Sequence, residues 1–505
     1  MKYALLIILC LPLRLLAQGQ LDPSFGDDGK VINYYLQMDY SYQSSCNQSD
    51  GKYIVGGHFN HPLSVCRFFQ DGRIDSSFAT CGCFSNDFWL YKTIVLNNDK
   101  ILVIGTGNDN FLVIRLTPEG ILDSTFGVNG ITETSFTLGI DYAMCAAVQS
   151  DSKIVAAGTC YIDSIPRDEI GVVRYLPDGS PDSTFGMDGQ VKIRIDSFDY
   201  NYCYDVLILS DNKILLHVLS YYETLIKLNP DGSVDSSFGL NGQKKLLYQN
   251  FRGYTALLLE NDDFLLAGEC SSGDFSILKL HSDGNADTTF GTSGFSDIKF
   301  DSVHSSINSL CLQDDGKIVA VGNVIIDLST MPYIYAYALA RINQDGDPDP
   351  TFGQNGRVTT SFYGTDQSDY ACSAVIFPDN KLLVTGIHII WTYGDQWYLG
   401  MARYMLDNSL GMIDPGKAAP DFLVYPNPVR DFFTMEYNLS ESSVVTADLF
   451  DISGKKICRL MDHVSHKAGK YSETFFPCRN LPPGNYVLVL MAGESSTMVK
   501  ILVSR

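Results

Sequence analysis

The residues that could do covalent or metal chemistry are few and scattered. The chain has 505 residues, with 13 Cys and 8 His. His58-Phe-Asn-His61 is the closest imidazole pair. On a strand-to-loop segment those two do not share a face, so they do not read as metal ligands. Cys81-Gly-Cys83 is the only closely spaced thiol pair. Zinc sites usually put two or more residues between paired ligands and add a second pair, and neither is present. No Ser stands in a Gly-x-Ser-x-Gly elbow, and no Ser–His–Asp set can be argued. Turn aspartates could suggest calcium. However, Asp27-Asp28-Gly29 becomes Val128-Asn129-Gly130 and Thr292-Ser293-Gly294 at matching places, as a turn former can and a required ligand would not. No catalytic, metal-ligating or cofactor-binding residue is assigned, and no cofactor is expected.

The residues best suited to recognition are aromatic. Tyr333, Tyr335, Tyr337, Trp391, Tyr393, Trp397 and Tyr398 crowd two stretches that hold two of the three Trp. Aromatics on loops of a rigid scaffold make a binding patch for sugar or protein. The alternation at 333, 335 and 337 also fits one face of a strand.

Composition limits what such residues could bind. Acids outnumber bases 58 to 36, for a formal charge of −22. That balance argues against nucleic acid and against an anionic membrane surface. Only 19% of residues are charged, against 43 Gly, 29 Tyr and 28 Phe, which leans towards an all-β protein. Residues 1–19 combine Lys2, an apolar run and small residues around Ala17-Gln18-Gly19, which reads as a secretory signal peptide cut after Ala17 or Gly19. Nothing later is long and apolar enough for a transmembrane segment.

The elements that must position these residues come from one unit written seven times. Its anchors are Phe25, Phe78, Phe126, Phe185, Phe238, Phe290 and Phe352, mostly within Asp-x-Ser/Thr-Phe-Gly. A turn such as Asp151-Ser-Lys, followed by an apolar run to Gly158, travels with them. So does an apolar strand with one basic residue: Arg67, Arg115, Arg174, Lys227, Lys279, Arg341 or Arg403. The Asp before Ser/Thr should hold an Asx-turn, and the Phe should plug between sheets. The basic residue should pair with the Asp of the following Asp-Gly turn. Each unit resolves into four short strands, the size of a propeller blade, and the ends permit seven units to close without a spare half. Cys46, Cys145, Cys203, Cys311 and Cys372 recur on the second strand of their units and read as one small buried packing position.

These strings resemble the delta-60 repeat family of secreted bacterial proteins over roughly Leu21–Leu410. The resemblance implies a propeller-like domain and little about activity. Units two and four depart from it: Ala79-Thr-Cys-Gly-Cys replaces the Gly turn, and His217 stands where unit four should show Gly.

After a Pro- and Gly-rich linker, 411–421, about seven short β-runs fill 422–505, as a small immunoglobulin-like β-sandwich would. Cys458 and Cys478 could form a disulfide there. The tail resembles the C-terminal sorting domain of type IX secretion cargo in Bacteroidota. Tyr425-Pro-Asn-Pro-Val429, Leu449-Phe-Asp-Ile-Ser-Gly-Lys-Lys456, Leu481-Pro-Pro-Gly-Asn-Tyr486 and Lys500-Ile-Leu-Val503 carry the likeness. The matching positions are Tyr425, Pro426, Asn427, Pro428, Gly454, Gly484, Tyr486 and Lys500. The family implies Sec export, passage through the type IX machinery and removal of the tail by a sortase-like protease. The cargo is then released or attached to surface lipopolysaccharide.

The expected protein is all-β: a seven-bladed β-propeller over 20–410, then the sorting sandwich. Its expected role is binding or scaffolding at the cell surface or in the medium. The alternatives are a propeller hydrolase or lyase acting on polysaccharide or peptide, and a purely structural surface or adhesin repeat.

Overall fold

The computed structural model describes every residue except 1–14, 17, 39–42, 60–62, 87, 162–167, 196–200, 249–250, 301, 303, 330–331, 363–366, 392–395, 408, 411–421, 428, 430–431, 440–441, 452–455, 477–480, 483, 493–494 and 504–505. Most of the expected signal peptide, the whole linker, His61 and Cys478 therefore lie outside the described residues. Contacts divide the chain into two units, Ala17–Asn408 and, with Met1–Leu16, Ser409–Arg505.

Apolar runs of four to ten residues, broken by Asp/Asn-Gly turns, fold the first unit into seven four-stranded antiparallel sheets. Blade V shows the order from inside to outside: Phe251–Leu258, Phe264–Cys270, Phe275–Leu280 and Phe295–Ile298. In the same order blades I, II, III, IV and VI cover 44–85, 89–134, 141–193, 202–246 and 305–360. Blade VII joins 367–405 to Lys30–Gln37, the outer strand. The sequence repeat is thus offset from the blade, because its first strand is the outer strand of the preceding sheet.

The innermost strands pack on one another in cyclic order, with Gln367–Ile376 of blade VII against Ser44–Asn47 of blade I. There the Ser45 N–H donates to Ser373 Oγ at 3.0 Å. This is a seven-bladed β-propeller: closure covers the sheet faces that an open array would expose at its two ends, and leaves only short blade edges.

The repeated strings have local causes. Asp123 Oδ1 accepts the Thr125 N–H at 3.1 Å and its hydroxyl at 2.7 Å, the expected Asx-turn, and Asp22, Asp75, Asp182, Asp235, Asp287 and Asp349 do the same. The turn drives its Phe between sheets, and all seven rings are buried. Each contributes about 1.5–3 kcal/mol by leaving water. The outer hairpin follows: the Val128 N–H donates to the Ile131 carbonyl at 2.8 Å, across Asn129 and Gly130 at φ +55° and +92°. Two successive positive φ values make a primed turn, which explains Asp-Gly and Asn-Gly.

In blades II to VII the innermost strand bulges opposite the second strand. The bulge pushes a carbonyl into the space of a side chain. A Cβ on Gly158 would lie 1.7 Å from the Tyr142 oxygen, so in blade III glycine makes room for that carbonyl. Pairing of Cys203 with Val218 and of Asp205 with His217 places Val218 at this position in blade IV. The departure expected at His217 therefore belongs to Val218, one residue on.

The second unit has two sheets. One holds Phe422–Tyr425, Phe433–Leu439 and Gly469–Phe475; the other holds Lys456–His466, Ser443–Asp451, Gly484–Ala492 and Ser495–Val503. Alternate residues such as Phe433, Met435, Tyr437, Val445, Ala447, Leu449, Leu488 and Leu490 share one core, as in a β-sandwich.

Candidate functional site

The recurring basic residues are structural. Arg115 Nε lies 2.6 Å from Asp123 Oδ2, its Nη1 donates to the Pro177 carbonyl of the next blade, and its Cζ stands 4.6 Å from the Phe126 ring centre. Arg67, Arg174, Arg341 and Arg403 repeat this latch. The partner is the Asp of the Phe turn, eight residues on or, for Arg403, at Asp22 beside it where the chain's start joins blade VII. The Asp-Gly turn aspartate expected to pair is not the one used. Asp71 of that turn pairs instead with its own neighbour, Arg73.

The inner-strand cysteines share a strand but not a register. Cys145 faces Ala157, Cys203 faces Val218, Cys311 faces Val319, and Cys372 is the bulged residue itself. The single packing position expected for them is corrected to several, all in tight space. Burial pushes the Cys46 thiol up to about 11 and those of Cys311 and Cys372 up to about 12, far from a reactive thiolate. Cys83 forms a disulfide with Cys66, its cross-strand partner in blade I, which the spacing to Cys81 did not suggest.

The aromatic stretches of blades VI and VII do not form one exposed patch. Tyr337 is fully buried, with its hydroxyl donating to the Gly400 carbonyl at 3.0 Å. Tyr398 is buried beside Tyr34. Both are core residues because their strands run inward from the loops. Tyr335 is half-buried against Tyr370, with ring centres 4.5 Å apart. Trp391 and Trp397 are half-buried on a core cluster, and the Trp391 indole N–H donates to Ser368 Oγ at 3.1 Å. Tyr333 is exposed, and Tyr393 lies outside the described residues.

A different aromatic surface is open. The antiparallel order brings the loops between second and third strands to the same face as the starts of the innermost strands. Three consecutive hollows lie on that face. A hollow of about 290 Å³ is lined by His58, Trp89, Asp109 and Tyr142. One of about 200 Å³ follows, between Trp89, Tyr91, Tyr142, Tyr161 and Tyr202. The third, about 820 Å³, is walled by Tyr202, Tyr221, Tyr222, Tyr248, Phe251 and Arg252. Trp89 and Tyr142 wall the first two, and Tyr202 walls the second and third, so the hollows run on from blade I to blade V. Trp89 is 40% exposed and stacks on His58 at 4.9 Å; Tyr221 is 70% exposed and meets Tyr222 edge-on.

Crowding of aromatics in two stretches does not single out this groove, because blade IV presents Tyr221-Tyr222 on a loop of only three residues. A signal did exist. Trp89, Tyr142, Tyr202, Arg252, Ser306 and Tyr370 pair with Thr106, Thr159, Leu219, Glu269, Asn323 and Ile387, one register position in six blades. Aligning the repeats on the Gly would have put three aromatics in successive blades at one place.

The groove's polar groups suit binding. Burial, with Asp109 and Tyr202 nearby, raises the Tyr142 phenol, and burial with Asp168 nearby raises Tyr161, so both stay neutral donors. Glu223 is buried with both oxygens engaged: Oε2 lies 2.7 Å from His217 Nε2, and Oε1 accepts the Gly253 N–H at 2.8 Å. Glu269 Oε1 accepts the Tyr254 hydroxyl at 2.8 Å, and Oε2 lies 3.5 Å from His304 Nε2. A second buried pair, His388 Nδ1 with Asp369 Oδ1 at 2.7 Å, belongs to blade VII.

In the sandwich, the tail residues act on the last strand. Asn427 Oδ1 accepts the Leu502 N–H at 2.8 Å, and the Val429 N–H donates to the Leu502 carbonyl at 2.7 Å. Tyr425 is exposed and its hydroxyl donates to Glu436; Tyr486 is buried, with its hydroxyl on the Pro482 carbonyl at 2.8 Å. Gly484 opens the strand that pairs with Ser495–Val503, where Lys500 lies opposite Val487, and Pro426 follows Tyr425 in a cis peptide. Pro428 and Gly454 lie outside the described residues.

No curated protein matches this chain. Among solved structures, a protein of unknown function from Bacteroides caccae shares 11% identity, with 60% of this chain and 97% of that one covered, at a TM-score of 0.37. An α-L-arabinanase of Cellvibrio cellulosa in complex with arabinohexaose shares 12%, covering 61% and 89%, at 0.30. The polysaccharide lyase Uly1 shares 9%, covering 78% and 97%, at 0.38. At these values no activity carries over to this chain. Family models are more specific. The domain of unknown function DUF5122 beta-propeller matches residues 48–78, 96–126, 149–185, 209–238 and 313–352. A secretion system C-terminal sorting domain matches residues 423–504, the kind of tail that the type IX machinery handles. This chain carries DUF5122 β-propeller repeats followed by a type IX secretion sorting domain.

Proposed function

We propose that the mature protein is a secreted or cell-surface glycan-binding propeller whose site is the aromatic groove from blade I to blade V. The observation that carries this reading is the sharing of Trp89, Tyr142 and Tyr202 between successive hollows. A sugar ring has an apolar C–H face and a hydroxyl rim. Flat aromatic faces with neutral phenol donors at their edges match both, and a rigid scaffold keeps the ordering cost low. A chain of several sugars fits a run of linked hollows better than a single small ligand does.

The hydrolase or lyase alternative needs a carboxylate free to act as acid or base. In the largest hollow, Glu223 and Glu269 already have their oxygens engaged, which favours binding there; a hydrolase or lyase would have to draw its acid or base from Asp109 in the first hollow. The third alternative, a purely structural repeat, leaves the exposed Trp89 and Tyr221 without a role.

The tail would direct export through the type IX machinery and be cut by a sortase-like protease, leaving the propeller free or attached to surface lipopolysaccharide. Deleting residues 422–505 tests the address: cargo retained in the periplasm supports it, and cargo still reaching the surface overturns it. A glycan-array screen of the mature protein tests the ligand class. Binding to one family of glycans supports the reading, and a blank array removes it.

A further inference from the structure

In six blades a lysine ammonium stands on the carboxylate that anchors the Phe turn. The distances run from 2.7 Å for Lys100–Asp123 to 3.3 Å for Lys153–Asp182, and the cation belongs to the Asp-x-Lys or Asn-x-Lys turn. Blade V breaks the pattern. Its turn reads Asn261-Asp262-Asp263, so a carboxylate replaces the lysine beside Asp287. His281, two residues after the basic Lys279, comes to the same place: its Nδ1 lies 3.1 Å from Asp263 Oδ1. One ligand atom each from Asp263, His281 and Asp287 lie within 4.8 Å of one another; both aspartates are buried and the imidazole is exposed.

The exchange removes one positive charge and adds one negative charge at a buried point where six sister blades hold a cation. Two carboxylates packed together without compensation cost several kcal/mol, on the order of the penalty for an unpaired buried charge. Lys279, 2.9 Å from Asp287 Oδ2, offsets one of them, and Asp263 Oδ2 has only the neutral Asn261 amide, which donates to it at 2.9 Å. We propose that blade V holds a divalent cation on Asp263, His281 and Asp287, in place of the lysine used elsewhere. One nitrogen and two carboxylate ligands, with the solvent side left for water, suit zinc or manganese better than calcium, which wants six or more oxygens. Lys279 has somewhere to go. In blade IV, Lys227 leaves the carboxylate to its neighbour and donates to the Ser282 carbonyl of the next turn at 2.6 Å. The ion ties the second-strand turn of blade V to its Phe turn, as the lysine does in the other blades.

The mature protein without an affinity tag, stripped with a chelator, is titrated with zinc and with manganese by calorimetry, and its thermal unfolding is followed in parallel. The expected result is one saturable equivalent and a raised melting temperature. Asp263→Lys, which rebuilds the arrangement of the other blades, should abolish binding and fold at least as stably as the stripped protein. His281→Ala should weaken binding at least tenfold. No saturable equivalent in the wild type overturns the proposal, and so does unchanged binding in both variants. So too does metal-free stabilisation below about pH 6 without metal uptake, because a protonated His281 would then be the missing cation.

Discussion

Asp22 and Arg403 are 381 residues apart in the sequence, and the Arg403 Nε lies 2.8 Å from Asp22 Oδ2. The same two atoms meet over a span of only eight residues in the four other arginine latches, Arg67–Asp75, Arg115–Asp123, Arg174–Asp182 and Arg341–Asp349. The ring is therefore closed by an ordinary copy of the repeat's own joint, with its two halves placed at opposite ends of the propeller. Breaking a buried pair by removing one partner costs about 3–5 kcal/mol. Arg403→Ala should lower stability to urea by about that amount, whereas removing the exposed Arg73 should cost less than about 1 kcal/mol. Equal losses for the two variants would mean that the latch does not hold the ring.

The latch aspartates make stability depend on acid. Burial alone would raise Asp75, but hydrogen bonds from Ser77 and Lys52 and the charge of Arg67 outweigh it and hold the carboxyl at about 2, against an ordinary 3.8. Asp235, Asp287 and Asp349 also stand at about 2, and Asp123 and Asp182 lower still. A carboxylate with a lower pKa folded than unfolded gives stability that is complete above the unfolded value and lost as pH falls through the folded one. The urea midpoint should stay level down to about pH 4–5 and fall steeply between about pH 4 and pH 2. A midpoint level to pH 2 would contradict the latch.

Of the two cleavage points expected for the signal peptide, a cut after Ala17 would leave the start of the ring intact. Gln18 holds the place that Asp71, Asp178 and Asp231 hold in other turns: its carbonyl accepts the Gly353 N–H at 2.8 Å, as Asp178 accepts that of Gly127. Its side chain receives hydrogen bonds from Arg341 and from Thr351 at 2.9 Å, and the Gly19 N–H donates to the Met405 carbonyl at 2.7 Å. Cutting after Gly19 would remove all of these. Mass spectrometry of the exported protein should find Gln18 at its N-terminus, and a chain starting at Gln20 would refute this.

The propeller was legible because its signals are local and repeated. The Asx-turn aspartates, the plugging Phe and the primed turns each need only a few neighbouring residues, and seven copies remove the ambiguity of one. What the sequence hid was pairing across blades. Arg115 reaches Pro177 of the next blade, and Arg67 passes over Asp71 of the nearest turn for Asp75, which spacing alone does not reveal. Burial was hidden for the same reason: Tyr335 and Tyr337 look alike in the chain, but only the second lies deep enough to be enclosed. The Cys66–Cys83 link and the groove both depend on register, and register needs the strands aligned on their bulges.

Glycan binding in the groove on blades I to V depends on the exposed aromatic faces that wall it. Calorimetric titration of the mature protein with the best array ligand, repeated for Trp89→Ala, Tyr221→Ala and Trp391→Ala, tests it most directly. Each groove variant should weaken binding by about tenfold or more, in line with about 1.5 kcal/mol for a lost aromatic contact, and Trp391→Ala should leave it unchanged. Undiminished affinity in Trp89→Ala and Tyr221→Ala, or a loss confined to Trp391→Ala, would contradict the account.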